Sequence, residues 1–359
     1  MAYELRRLAS KLAVNIPFMR LHDQALGALI RLDERVRRSS PELASGFKSR
    51  CDFYEAQAVA RVVHLEDVVL HDANTDVRIP TDEILAASRA LVRRRELAKA
   101  SKAKCADPEY LAKITHLPLT DFLATESVAS LATQSPGSNV LDELAQDDLT
   151  SDTPTKDDLA AAMGDLDSLN VKLTIKAANP ASGSIAELLH EIAPLPPFLG
   201  GILLLDHWFY QAGETISDSG PLLLGAHWKA SGLMTAHSPS IARGLWKSRN
   251  RWQRQVETEE RITSLLAAFT ELAKLGHADL DRLTLAGEVM LNKVPSRGRH
   301  IKLLEMIAVF VELPVVSNAI LIKPLKISKQ AVDYLLAQLG SALPRELTGR
   351  ERYRAWGVL

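Results

Sequence analysis

Ser328-Lys329-Gln330-Ala331-Val332-Asp333-Tyr334-Leu335-Leu336-Ala337-Gln338-Leu339-Gly340 is the most informative stretch of this 359-residue chain. Ser328 is a natural N-cap for a helix over Lys329–Leu339, and Gly340 is a natural stop. Ala331, Val332, Leu335, Leu336 and Leu339 recur at three- and four-residue spacing and form one apolar stripe. That spacing leaves Lys329, Gln330, Asp333, Tyr334, Ala337 and Gln338 facing outward. Upstream, His300–Leu313 reads as a helix with Leu303, Leu304, Ile307, Ala308 and Val311 inward, and Pro314 ends it. Val315–Ile322 reads as a short second helix, and Lys323–Ile327 as a tight connector. The order predicts a helix-turn-helix in which the second short helix offers its polar N-terminal end to base edges.

Downstream, Thr348-Gly349-Arg350 can turn a hairpin, which would place Arg350, Arg352 and Arg354 on one face at period two. A hairpin in that position is a wing, and three cations on one face suit phosphate or minor-groove contact. The predicted partner is therefore double-stranded DNA, with Ser328, Lys329, Gln330, Asp333 and Tyr334 in the major groove and the three arginines on the backbone. Such domains commonly read pseudo-palindromic sites as pairs, so a homodimer is expected. The alternative is a three-helix packing module with a basic surface that contacts protein.

Charge at first argues against this. The chain holds 43 Lys plus Arg and 44 Asp plus Glu, a net of −1. By segment, residues 1–218 carry −9, 219–256 carry +6, 257–292 carry −4 and 293–359 carry +6. Clustered cations matter for nucleic acid, and the global sum does not.

The rest of the chain reads as helical nearly throughout, so the fold class expected is all-α: a multi-helix domain followed by a small winged helix-turn-helix with a short β-hairpin. Residues 16–37 present Phe18, Leu21, Ala25, Leu29 and Leu32 as one stripe, and 42–63 read as a second helix. His64–Val77 is the least helical part of this half, and Val63–Leu70 reads as extended. Thr81 caps a helix that runs to about Lys104. Ser238-Pro239 starts a long helix through Trp246, Trp252 and Leu266. The organisation expected is a helical domain in two parts, 1–133 and 183–292, an acidic linker over 134–182 and a DNA-binding domain over 293–359. Within the linker, residues 139–167 hold nine acids against Lys156. Such a run reads first as a solvated face. It could also dock on the basic stretch Arg243–Arg254, where Arg243, Lys247 and Arg254 would share a helical face with Trp246 and Trp252 interleaved; that face reads equally as a further phosphate-tracking surface.

Other chemistries leave no signature. There is no stretch of 18 apolar residues, so no membrane span is expected. Cys51 and Cys105 make no CxxC pair, which fits a reducing cytoplasm and excludes a thiolate zinc cluster. No phosphate-binding glycine loop, HExxH or GxSxG occurs, so no catalytic set, metal or cofactor is expected. Asp206-His207 are helical neighbours that cannot face one another, so a packed histidine is expected there. His71, Asp72, Asp76 and Arg78 gather within eight residues and form the best candidate ligand site of the acidic half, although a structural turn held by local pairs is the reading the residues favour.

The ending Leu347-Thr348-Gly349-Arg350-Glu351-Arg352-Tyr353-Arg354-Ala355-Trp356-Gly357 and the earlier His71-Asp72-Ala73 with Asp76-Val77-Arg78-Ile79-Pro80-Thr81 resemble a bacterial family of uncharacterised proteins. Its members pair an all-helical domain of unknown function with a C-terminal helix-turn-helix. The resemblance covers most of the chain, least over 134–180, and implies an architecture without implying an activity. The layout is also similar to Fic-type proteins, which can end in a winged helix with a Thr-Gly-Arg hairpin. Those enzymes need a His-Pro-Phe loop followed by Gly-Asn-Gly-Arg, which is absent here. Asp121–Ser130 is faintly similar to the helix preceding that domain but lacks the Ile-Glu-Gly continuation. An enzymatic alternative would be a degenerate Fic-like or novel transferase using the His71–Arg78 region.

Overall fold

A computed structural model describes residues 2–73, 80–122, 185–212, 219–296, 300–349 and 354–359. The linker expected over 134–182 lies outside the described residues, as do Asp76, Arg78, Arg350 and Arg352. The elements are α1 (Ala2–Ala13), α2 (Ile16–Arg38), α3 (Pro41–Ala60), α4 (Leu65–Asp72), α5 (Asp82–Lys99) and α6 (Pro108–Thr115). Then come α7 (Ile185–Ile192), α8 (Pro197–Ala212), α9 (Ser219–Ser231), α10 (Ile241–Lys247), α11 (Thr258–Leu291) and α12 (Ile301–Glu312). The chain closes with β1 (Val316–Ser317), α13 (Asn318–Leu325), α14 (Lys329–Leu339), β2 (Arg345–Glu346) and β3 (Ala355–Gly357). The fold is all-α, with one small antiparallel sheet of order β1-β3-β2 beside the helix-turn-helix.

Local chemistry accounts for most boundaries. Asn15, Ser40 and Thr81 each accept a hydrogen bond from the backbone N–H three residues on, and Pro17 and Pro41 sit in first turns where no N–H is needed. Thr81 caps α5 as expected, but the helix stops at Lys99 instead of Lys104. The buried stripe of α2 is Phe18, His22, Ala25, Leu29, Leu32, Asp33 and Val36; Leu21 is exposed and His22 takes its place.

Two expectations are corrected in this half. His64–Asp72 is not extended: Leu65–Asp72 is helical, with Leu65, Val68, Val69 and Leu70 buried and Glu66 and Asp67 in the first turn, at the positive end of the helix dipole. The long helix expected from Ser238 is two helices. α10 ends at Lys247, and Thr258–Leu291 begins afresh with Glu259 and Glu260 in its first turn. The cations of 249–254 lie between the helices, so Arg243, Lys247 and Arg254 share no helical face. Arg243 pairs with buried Asp279, and its guanidinium lies 3.7 Å from the centre of the Tyr54 ring, so it belongs to the interior.

The main core joins α2, α8, α9 and α11 around Leu29, Phe198, Trp228 and Phe269. A second cluster lies between α3, α4 and α5 and includes Val315 and Ala355 from the far end of the chain. A third belongs to the helix-turn-helix: Leu303, Met306, Ile307 and Phe310 of α12, Leu321 and Leu325 of α13, Val332, Leu336 and Leu339 of α14, and Trp356 of β3. Within α12, Met306 and Phe310 are buried where Leu304 was expected, and Leu304 is exposed. A one-position rotation of the stripe accounts for this: the face toward α13 and α14 runs 303-306-307-310.

Buried charges tie the helices together. Arg94 of α5 donates to Asp52 of α3 at 2.8 Å and to the carbonyl of Pro239 at 2.9 Å. Nearby Glu55 accepts from the Ala242 N–H at 2.8 Å, and burial pushes its carboxyl up to about 7. Asp206 of α8 accepts from both Arg261, at 2.9 and 3.0 Å, and Trp252, at 2.7 Å, so it is spoken for without His207.

Candidate nucleic-acid interface

The helix-turn-helix is built from sheet and caps together. Ser317 ends β1 and caps α13, accepting from the Ile320 N–H at 3.4 Å. Helix α13 therefore begins three residues later than the sequence suggested, because Val316 and Ser317 are used as a strand opposite Trp356 and Ala355. It also runs further, through Pro324 to Leu325, and the true connector is Lys326-Ile327-Ser328. Lys326 turns the chain with a left-handed backbone, φ 53°, and its N–H closes on the Ile322 carbonyl at 3.0 Å. Ser328 then accepts from the Ala331 N–H at 3.3 Å and starts α14.

The stripe predicted for α14 holds: Val332, Leu336 and Leu339 are buried, and Ala331 and Leu335 are half-buried. Ser328, Lys329, Gln330, Asp333 and Tyr334 are exposed on the N-terminal half of the helix, and Tyr334 is 65% exposed. Lys323, Lys326 and Lys329 surround the turn, are exposed, and make no ion pair among the described residues. The surface around the turn thus joins free cations with acceptor- and donor-bearing side chains on one capped helix end. Asp333 is not independent of its surroundings: its Oδ1 accepts from Asn318 Nδ2 of α13 at 2.6 Å.

The hairpin expected after α14 is present as β2 and β3, with Arg345 opposite Gly357 and Glu346 opposite Trp356. Where the chain leaves β2, the Glu346 carboxylate accepts from the N–H groups of Thr348 and Gly349, both at 2.9 Å. Gly349 has φ +62°, a backbone that favours glycine. Arg354 is exposed just before β3. β1 adds a third strand, and the sheet leans on the helical body, with Val315 and Ala355 in the α3–α5 cluster and Arg345 3.4 Å from Glu66 of α4.

Arg50 makes the join rigid. Its five N–H donors reach five carbonyls: Val358 at 2.6 Å, Gly46 at 2.8 Å, Val311 at 2.9 Å, Leu313 at 2.8 Å and Phe310 at 3.3 Å. Three of these belong to the C-terminal end of α12, where helix carbonyls lack partners of their own. A remote helix thus caps the first helix of the helix-turn-helix unit, against the negative end of its dipole. Burial pulls the guanidinium down to about 10, which leaves it charged at neutral pH. Gly46 allows the approach, since a Cβ there would stand 2.0 Å from the Val311 carbonyl oxygen. The seam between body and sheet also holds a cavity of about 370 Å³ between Glu66 of α4, Arg282 of α11 and Leu347 beyond β2.

In the proposed ligand site, His71 lies in the last turn of α4 and Asp72 binds Arg95 of α5 through both oxygens, each at 2.9 Å. Among the described residues no group of His, Cys, Asp and Glu could hold a metal ion, and no helix is long and apolar enough to cross a membrane.

The sequence reading missed Arg50, Asp33 and Asn318. Asp33 falls on the apolar stripe of α2, and a charge on a buried stripe is a legible signal of an internal partner. Arg50 and Asn318 have no such mark, because their partners are backbone or distant in sequence.

Residues 303–359 match the family model described as HTH DNA binding domain, and this class is the one the capped helices define. Residues 185–295 match a second model, described as a protein of unknown function (DUF1612). The chain is similar along its whole length to the uncharacterized protein y4cF of Sinorhizobium fredii (strain NBRC 101917 / NGR234), with 28% identity over 390 residues that cover all of both chains.

Proposed function

We propose that this protein is a cytoplasmic transcriptional regulator that binds double-stranded DNA through a winged helix-turn-helix in residues 293–359. The observation that carries the reading is the exposed polar face of α14, capped by Ser328 and flanked by Lys323, Lys326 and Lys329, in the segment matching a DNA-binding domain. Helix α14 lies in the major groove, with Ser328, Lys329, Gln330, Asp333 and Tyr334 toward the bases. The β2–β3 hairpin is the wing, and Arg350, Arg352 and Arg354 hold phosphates. Residues 1–133 and 183–292 form the body, and two copies associate through it to read a two-fold site. The His71–Arg78 region is the place in the body best supplied with groups for an effector.

A mobility-shift titration on random duplexes at two salt concentrations tests this reading. Binding that weakens steeply with salt is expected; a salt-insensitive absence of binding would overturn it. Lys326→Ala and Arg352→Ala should each weaken all duplexes alike and reduce the salt slope by about one. Lys329→Ala or Gln330→Ala should instead reduce discrimination between a selected site and random duplex.

A further inference from the structure

We infer that Asp333 reads a cytosine in the major groove, with Asn318 as the residue that positions it; the inference rests on the DNA-binding reading above. Asp333 is exposed on the outward face of α14, on the same side as Gln330 and one turn beyond Lys329. Its neighbours do not neutralise it, for Lys329 makes no ion pair with it in the described residues. A carboxylate on a face turned toward phosphates is unfavourable unless it meets a donor.

Asn318 supplies one donor, at 2.6 Å to Oδ1. Oδ2 takes no hydrogen bond from any described residue. Asn318 is itself held by its place as first residue of α13, directly after Ser317, the cap that belongs to β1. The amide is oriented with nitrogen toward the carboxylate, since the reverse would set two acceptors against each other, and Asn318 Oδ1 has no hydrogen-bond partner. The pair therefore spans the two helices of the motif and presents one fixed, acceptor-only oxygen.

Only two bases offer a donor on the major-groove edge. Cytosine shows N4–H2 without a neighbouring acceptor, whereas adenine shows N6–H2 beside the acceptor N7. Guanine and thymine present acceptors at that position and repel a carboxylate. The order expected at one position of the site is thus cytosine, then adenine, then guanine and thymine.

Selection of duplexes from a random pool by the full chain, followed by titration of the selected site and its three single-base variants, tests the assignment. Cytosine should exceed guanine and thymine by roughly 5- to 20-fold at one position. Asp333→Asn should move the preference there to adenine, which an amide can bind through N6 and N7. Asp333→Ala should flatten that position while tightening binding to random duplex, because a repulsive charge is lost. Asn318→Ala should retain cytosine but narrow its margin several-fold, with an unchanged melting temperature. Wild-type, Asp333→Asn and Asp333→Ala chains that bind duplex and select identical bases at every position would overturn this inference alone. Failure of the wild-type chain to bind any duplex would overturn the DNA-binding reading and this inference with it.

Discussion

Replacing Arg50 by methionine should destabilise the protein by about 4 kcal/mol or more, the largest single-residue effect expected here. Methionine fills much of the same space, so the loss is not chiefly one of volume. What disappears is the set of donors to Val358, Gly46, Val311, Phe310 and Leu313. Each buried carbonyl left without a partner costs roughly 1–3 kcal/mol, and water reaches only some of them. Thermal unfolding followed by circular dichroism should show a midpoint lower by roughly 5 °C. Arg50→Lys, with three donors in place of five, should fall between the two. A midpoint for Arg50→Met within 2 °C of wild type would show that the clamp contributes little. The same variant should expose the α12–β1 junction to limited proteolysis, because three of the five carbonyls belong to it. Duplex binding should then become weaker or more variable in proportion to the loss of order, and not through any change in the residues that face the groove.

Removing the carboxylate of Asp33 should have the next largest effect, about 3–5 kcal/mol for Asp33→Ala. Asp33 is buried in α2 and accepts from the N–H groups of Thr235, Ala236 and His237, at 3.2, 3.0 and 3.2 Å, and from His237 Nδ1 at 3.0 Å. It therefore organises the whole turn between α9 and α10. Burial by itself would raise its pKa, but the hydrogen bonds from His237 and from the backbone of Thr235 and Ala236 outweigh that and hold it at about 2, against an ordinary 3.8. The depressed value means that the folded chain prefers the ionised form more than the unfolded chain does. This contribution, about 2 kcal/mol, is present above pH 3.8 and is lost as pH falls from there through about 2. Stability measured by denaturant titration at stepped pH should accordingly show a decline over that window, and Asp33→Asn should remove Asp33's share of it. An unchanged acid limb in Asp33→Asn would assign the decline to other carboxylates.

The contrast between these two residues bears on how the DNA-binding unit is carried. Asp33 and Arg50 sit on adjacent helices of the body, α2 and α3. Asp33 acts within the body, while Arg50 holds the end of α12. The sheet repeats the same connection, since Val315 and Ala355 pack among Phe53, Val68 and Leu91. The helix-turn-helix is therefore joined to the body through core packing and a buried cation.

Much of this unit was legible in residue order. The Ser328 cap, the 332-336-339 stripe, the Gly340 stop and the Thr348-Gly349 turn are local devices whose chemistry acts over a few residues, so a sequence displays them directly. The Thr81 cap and the Pro41 start are of the same kind. The extended reading of residues 63–70 failed because β-branched and polar residues gave no clear period, and packing of Leu65, Val68 and Val69 against α3 and α5 decided for helix. The start of α13 was misplaced because strand β1 competes for Val316 and Ser317, and its partner lies some 40 residues away.

By itself, then, the residue order determined the helical class, the capped motif in residues 303–359 and the polar face that motif offers, since caps, stops and apolar periods are nearest-neighbour physics. Only the tertiary structure decided that Arg243 is interior, that Asn318 holds Asp333, that the sheet has three strands and that Arg50 directs four of its five hydrogen bonds to the far end of the chain. Those are pairings between residues distant in sequence, and a buried charge reveals its partner only when the chain has brought the two together.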